Sequence, residues 1–228
     1  MRKLGRGKYL TRKVFSSSRI LERNFPKSKN FNFVQVGAND GVSFDSLYEI
    51  VFNRKSSGLV IEPIKEYFDL LVLNYIEFTN IIKVNKAVHP TEKEFPIYKI
   101  NKEAYYKYPD WAKGIASFNS NHHKALNIET SDIFEVLVSC DHLMNIISEN
   151  VINKEIDYFQ VDTEGFDYEV IKMIDLKIIK PKIIKFESVS LSVEDINSVN
   201  NLLEKEGYYI FKEGNDIVAL DLKKVRLL

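Results

Sequence analysis

Short apolar runs that end in turns, separated by stretches of helical spacing, recur along most of this chain. Phe31 to Val36 is the first such run, and it stops at Gly37-Ala38-Asn39-Asp40-Gly41. A helix-like segment follows, and a second run, Leu59 to Ile61, closes on Glu62. Pro63 to Asn74 has helical character, because Ile64, Phe68, Leu70 and Leu71 fall near one face behind a proline in the first turn. Ile81 to Val88, containing Asn85-Lys86-Ala87, is the third predicted strand; Ile156 to Val161 is the fourth and ends at Asp162. Val170 to Ile179 is helical in spacing, and Pro181 precedes a fifth strand, Ile183 to Phe186, ending at Glu187. A helix over Val193 to Lys205 leads into a hairpin, Tyr208 to Phe211 and Ile217 to Leu220, about Glu213-Gly214-Asn215-Asp216. Strands alternating with helices predict a parallel sheet, and the terminal hairpin adds an antiparallel edge. The class is α/β, with a mostly parallel seven-stranded sheet.

The turn after the first strand and the acid after the second have the layout of a nucleotide-binding βαβ unit. Glycines let the backbone approach a ligand, and an acid at the second strand's end can grip ribose hydroxyls. No G-x-G occurs, however, so a pyrophosphate cradle is poorly served, and Asp40 would repel phosphates. A cationic ligand with an adenosine half, such as S-adenosylmethionine, suits that acid better. Glu62 also reads as a helix-initiating acid before Pro63, and the two roles are compatible.

Roughly residues 90 to 155 are too long for one crossover helix and read as an insertion beside the carboxyl ends of the strands, where a substrate wall belongs. The insertion holds Tyr105, Tyr106, Tyr108 and Trp111, which read as packing, then Ser117, His122 and His123, and a strand-like Val136-Leu137-Val138 before Asp141, a potential helix cap. A second constellation runs from Asp157 to Asp167 and gathers Asp162, Glu164 and Asp167 at a strand's end. Their mutual repulsion needs an offsetting partner. A general base for a substrate hydroxyl, a divalent cation held by Asp162 and Glu164, and capping of the next helix all remain open.

Charge changes the picture at one end only. The 228 residues are 45% hydrophobic with zero net charge, which fits one globular domain. Before Phe31, though, ten basic residues face Glu22 alone, so a leader over 1–30 carries nine surplus positive charges and the domain over 31–228 carries nine negative ones. The sheet begins at Phe31, so this leader is expected to lie outside the core. Tyr9, Leu10, Val14, Phe15, Ile20 and Leu21 give it an amphipathic aspect that suits docking on the body or peripheral contact with anionic lipid. Cys140 is a lone cysteine, no Cys/His group has zinc spacing, and no apolar run reaches membrane-spanning length or resembles a secretory signal. The expectation is a cytoplasmic protein. Nucleic acid is a poor partner for so acidic a body.

Over roughly Phe31 to Leu220 the chain resembles the FkbM-type S-adenosylmethionine-dependent methyltransferases. The matching blocks are Val36 to Gly41, Ile61-Glu62-Pro63, Asn85 to Val88, Ala116-Ser117-Phe118 and Asp157 to Gly165. The last is similar to the family's Asp-x-x-Lys-x-Asp-x-Glu-Gly signature, with Gln160 in place of lysine and Phe166-Asp167 where a small residue and glutamate are common. The resemblance implies a class I methyltransferase, Rossmann-like fold and methyl transfer to oxygen, often on sugars or natural products. On that reading Gly37, Asn39, Asp40 and Gly41 cradle the donor's methionine end, Glu62 binds its ribose, and Asn85 with Ala87 lies near its adenine. Asp162 or Glu164 then serves a glycan or small-molecule acceptor, with Ser117, His122, His123 and Asp167 as candidate acceptor contacts. A nucleic-acid methyltransferase is the alternative enzyme, but the Asp/Asn-Pro-Pro-Tyr/Phe motif of adenine-amino enzymes does not follow the fourth strand. The other alternative is a binding protein that keeps the fold without catalysis; intact Gly37, Gly41 and Glu62 disfavour it.

Overall fold

The structure is a computed structural model that describes residues 16–43, 47–150 and 155–227. Its helices are α1 (Ser17–Asn24), α2 (Leu47–Phe52), α3 (Lys65–Asn74), α4 (His122–Ala125), α5 (Leu143–Asn150), α6 (Asp167–Lys172) and α7 (Val193–Lys205). Its strands are β1 (Asn30–Val36), β2 (Lys55–Ile61), β3 (Ile81–Val84), β4 (Ala87–Val88), β5 (Glu94–Ile100), β6 (Ala116–Ser117), β7 (Ile133–Asp141), β8 (Tyr158–Val161), β9 (Ile183–Glu187), β10 (Tyr209–Glu213) and β11 (Asp216–Leu220). Seven strands form the main sheet in the order β10-β11-β9-β8-β1-β2-β3. β1 pairs in parallel with β2 and β8, β2 with β3, and β8 with β9; β11 runs antiparallel to both β9 and β10. This is the class I methyltransferase fold read from the sequence.

Alternation along the strands builds a core on each face. In β1, Val34 and Val36 point to one side and meet Leu143, Ile147, Val170 and Leu203 of α5, α6 and α7. Phe31 and Phe33 point to the other and meet Ile20, Leu21, Val51 and Leu71 of α1, α2 and α3. Both faces are covered, as a parallel sheet requires. α7 begins at Ser192, whose hydroxyl accepts from the Asp195 N–H at 3.0 Å, as an N-cap should.

Three expectations need correction. The predicted third strand breaks in two. Asn85 leaves the sheet and donates through Nδ2 to the carbonyls of Glu62 (2.8 Å) and Pro63 (3.0 Å). After it, β4 pairs with β7 in a second sheet of order β4-β7-β5-β6. The helix expected over Val170 to Ile179 spans Asp167–Lys172 instead, since the Asp175 carboxylate accepts from the Lys177 N–H at 2.9 Å and holds a turn there.

The third correction concerns the leader, which joins the core from Ser17 onward. Ser17, Ile20 and Leu21 lie on one helical face and are buried, and Phe25 packs its ring 5.4 Å from that of Phe31. The Ser17 N–H donates to both oxygens of the Glu213 carboxylate, at 3.0 and 3.2 Å. Tyr9, Leu10, Val14, Phe15 and the basic residues before Ser16 lie outside the described residues. Deleting residues 1–27 is therefore expected to lower the melting temperature by about 10–20 °C, because three large apolar side chains at roughly 1.5–3 kcal/mol each leave the core. Calorimetry on the truncated chain checks this; an unchanged transition would show that α1 contributes nothing to stability.

Candidate active site

A cavity of about 910 Å³ opens where β1, β2, β8 and β9 end, a size in the usual range of roughly 300–1,000 Å³ for ligand sites. Gly37, Glu62, Asp162 and Glu187 stand at those four strand ends and all face it. The second sheet and its loops supply the opposite wall through Ala87, Ile97, Gly114, Ala116 and Phe118. Two links hold that wall in place. Buried Lys99 of β5 pairs with Glu66 of α3 at 3.1 Å, and the hydroxyl of Tyr67 donates to the Lys113 carbonyl. Phe118 also meets Phe166 edge-to-face at 4.9 Å, joining the wall to the turn before α6.

The end formed by β1 and β2 is built around an unusually close backbone approach. Gly37 has φ +79°, and a Cβ there would sit 1.7 Å from the Asp162 carbonyl oxygen, so only glycine fits. Asn39 follows at φ +50°, a conformation that asparagine tolerates. Its N–H donates to Glu62 Oε2 at 2.8 Å, while the Ile64 N–H donates to Glu62 Oε1 at 2.8 Å. Glu62 thus ties the turn to the start of α3 while lining the cavity. Its carboxyl is pushed up to about 7, because burial disfavours the charge more than the two N–H groups and Lys99 favour it.

Gly37, Asn39, Glu62 and Ala87 are brought together as read from the sequence, but their neighbours are not. Asp40 turns away and accepts from the Val42 and Ser43 N–H groups at 2.9 and 2.7 Å, which makes it a turn residue. Gly41, at φ +78°, gives room to Leu71 and Tyr75; a Cβ there would lie 2.5 Å from each. Asn85 stands behind Glu62 and braces its backbone.

The β8 and β9 end is acidic. Asp162, Glu164, Glu187, Glu213 and Asp216 line it, with Gln160, Ser190 and Asn215 among them. Asp162 lies deep in the fold, yet its carboxylate faces the cavity and stays open to the solvent there. Enclosure, then the charges of Glu164, Glu187, Asp167 and Asp216, push it well above the usual carboxylate range, and water in the cavity tempers the effect. Burial and the nearby Glu164 and Asp167 raise Glu187 to about 7. Glu164 adopts φ +51°, a strained conformation for its type, held from two sides. The Ser117 hydroxyl donates to its carbonyl at 2.7 Å, and His122 Nε2 lies 3.1 Å from its Oε2.

Ser117 and His122 therefore shape the site through Glu164 without lining the cavity themselves. His123 is buried elsewhere, with Nε2 3.0 Å from the Thr130 hydroxyl, and Asp167 is fully buried, accepting from the Thr163 hydroxyl at 2.9 Å. Burial raises the Asp167 carboxyl to about 6 against those Thr163 bonds. Neither lines the cavity. Asp141, read as a helix cap, does accept from the His142 N–H, but it mainly pairs with Lys86 at 2.8 Å, and Lys86 and Asn145 hold its carboxyl well below the usual range. The cation role considered for Asp162 and Glu164 finds no ligand set: among the described residues no group of three or more His, Cys, Asp or Glu side chains could hold a metal ion.

The profile of the Methyltransferase FkbM domain matches residues 35–210, most of the chain. The chain belongs to the FkbM methyltransferase family. A methyltransferase FkbM from Methylobacillus flagellatus KT shares the fold at a TM-score of 0.52 and 13% identity, over 85% of this chain and 44% of that one. The N-terminal domain of human METTL16 aligns at 0.48 and 13% identity, over 95% and 69%. The precorrin-6y C5,15-methyltransferase of Geobacter metallireducens GS-15 aligns at 0.42 and 12%, over 89% and 87%. The chain spans 65% of the METTL16 methyltransferase domain. Against curated proteins the sequence finds no significant match. No described helix is long and apolar enough to cross a membrane.

FkbM membership implies S-adenosylmethionine as donor, and the glycine cradle and buried Glu62 beside it fit that group. Sequence reading passed over Lys86, Tyr67, Ser190 and the hairpin residues Glu213, Asn215 and Asp216 as cavity residues. A signal for the last three existed: β10 runs the same way as the parallel strands, so its turn must emerge at the end where Gly37 lies.

Proposed function

We propose that this FkbM methyltransferase transfers a methyl group to a hydroxyl of a sugar, glycan or small natural product. The observation that carries the reading is one continuous cavity joining the Gly37–Glu62 turn to the carboxylate of Asp162, which has no side-chain partner among the described residues. When bound, S-adenosylmethionine supplies an already activated methyl group. The chain's part is to align the acceptor and exclude water. Glu62 and the Asn39 turn hold the donor's ribose and methionine ends, with Ala87 beside its adenine. Asp162, or Glu164 oriented by His122, takes the proton from the acceptor hydroxyl. A raised carboxyl suits that task, since a more basic carboxylate takes up a hydroxyl proton more readily. Gln160, Ser190 and Asn215 offer hydrogen bonds to neighbouring hydroxyls. The same acidic lining opposes the phosphates of a nucleic-acid acceptor.

Titration with S-adenosylhomocysteine against NAD tests the donor site, and an untargeted methyl-transfer screen over glycans, hydroxylated metabolites and RNA tests the acceptor. Glu62→Ala should weaken S-adenosylhomocysteine by roughly 1.5–3 kcal/mol, the value of hydrogen bonds to a charged group. Unchanged affinity in a folded variant would remove Glu62 from the ribose. pH gives a second handle. Glu62 titrates near 4.5 in the unfolded chain and about 7 in the fold. The folded protein thus keeps a proton that the unfolded one loses. The stability Glu62 contributes is full below about 4.5 and is lost as pH rises through about 7. Ligand affinity should move the other way, strengthening between roughly pH 6 and pH 8 as the carboxylate becomes a full acceptor.

A further inference from the structure

The opposite end of the main sheet has its own concavity, of about 530 Å³, where β1, β8 and β9 begin. Asn30 and Asn32 of β1, Asp157 before β8 and Lys182 before β9 form its base, while the end of α1, the turn before β1 and the C-terminal segment bring Arg23, Lys29, and Lys224 with Arg226. Asp157 is already neutralised. It is buried, lies 2.6 Å from Lys182 Nζ and accepts from the Asn32 N–H at 2.9 Å. Glu155 is the other acid on the wall, which carries four further cations. Arg23, Lys29, Lys224 and Arg226 are exposed, and among the described residues none of their side chains forms an ion pair. Several lysines elsewhere on the surface do pair with acids, as in Lys65–Asp69, Lys113–Asp110 and Lys172–Glu169.

Like charges gathered around one hollow repel each other, so the arrangement is most stable with an anion between them. Two guanidinium groups and two ammonium groups suit tetrahedral oxyanions, which accept several charge-assisted hydrogen bonds at once. The hydrogen bonds between Asn24 and the backbone of Arg226, both 2.8 Å, fix α1 against the C-terminal segment, so the two halves of the hollow are held in register.

We propose that this hollow is a binding site for a phosphate-bearing group, separate from the active-site cavity and a strand length away from it. The inference does not depend on which acceptor the enzyme methylates. The shared chemistry covers a soluble phosphate and the headgroup of an anionic lipid, and two probes separate them: pyrophosphate, and phosphatidylcholine vesicles with and without phosphatidic acid.

The full chain is titrated with pyrophosphate by calorimetry and sedimented with the vesicles. The comparison variants are Lys224→Glu with Arg226→Glu, and Arg23→Gln with Lys29→Gln, each checked for an unchanged melting temperature. Lys124→Glu with Lys205→Glu, outside the hollow, is the control for net charge. Saturable binding that weakens with salt, and by at least about tenfold in either hollow variant but not in the control, is the expected result. Sedimentation that depends on phosphatidic acid and disappears in the same variants assigns the lipid source; pyrophosphate binding without it assigns a soluble one. Failure of both probes, equal losses in the control, or binding of an RNA oligonucleotide alone would overturn the proposal.

Discussion

Gly37→Ala is expected to abolish donor binding and to destabilise the fold by roughly 3–5 kcal/mol, the range of severe point mutations. Two costs combine. An alanine at φ +79° loses on the order of 1–2 kcal/mol to its own backbone. Its Cβ must also occupy the place of the Asp162 carbonyl, 1.7 Å away. That carbonyl cannot retreat easily, because the Asp162 N–H is bonded to Val36 at 3.0 Å and the Gly37 N–H to Ile61 at 3.0 Å. The tips of β1, β2 and β8 must separate, and they are what positions Glu62 and Asp162. Gly214→Ala is the matched comparison: φ is +64°, but nothing lies within 4 Å of the added atom. It should lose only the backbone cost. Denaturant unfolding and calorimetry with S-adenosylhomocysteine measure both, and equal losses in the two variants would show that the close approach is unimportant.

Asp162→Asn should slow methyl transfer by on the order of 10²–10⁴-fold while leaving donor affinity nearly unchanged. Among the described residues the carboxylate has no side-chain partner, so asparagine removes charge without removing a bond. Removing one of several mutually repelling acids should leave the melting temperature equal or higher, which separates this outcome from misfolding. Glu164→Gln tests the second candidate. Its carboxylate contacts His122, so a drop in rate shared by Glu164→Gln and His122→Asn would place the proton transfer on that pair. If Asp162→Asn and Glu164→Gln both turn over at the wild-type rate, the acids are structural and alignment alone drives the transfer.

Much of this architecture was legible because the signals are local. The strand ends at Gly37, Glu62, Asp162 and Glu187 and the helix Val193–Lys205 follow from periodicity and turn chemistry alone. Periodicity does not say which sheet a strand joins, so Ile81 to Val88 read as one strand although Asn85 turns the chain out of the sheet. Ile20 and Leu21 read as an amphipathic face suited to docking on the body, but their spacing does not say which sheet face they cover, and Phe25 carried no such signal. The site shows the same limit. Residue type and spacing placed Asp40 beside Glu62, but side-chain direction decides which of them meets a ligand, and Asp40 spends its oxygens on Val42 and Ser43. Asp167 was likewise an acid of the right kind that the fold turned inward to Thr163.

The two-residue crossing at Asn85-Lys86, where the chain passes from one sheet to the other, divides the protein's evolutionary freedom. The glycine cradle and Glu62 belong to the sheet whose strands fill both cores, and any change there is felt throughout the fold. The facing wall hangs on strands and short loops between residues 87 and 141, with a small apolar core of its own around Ile100, Ala104, Ala112 and Ile128. Substitutions at Ile97, Trp111, Ala116 or Phe118 can therefore reshape the cavity while the donor half keeps its geometry. Descendants of one ancestral sequence could drift to new acceptors by editing that segment alone, without having to reinvent the machinery on the other side.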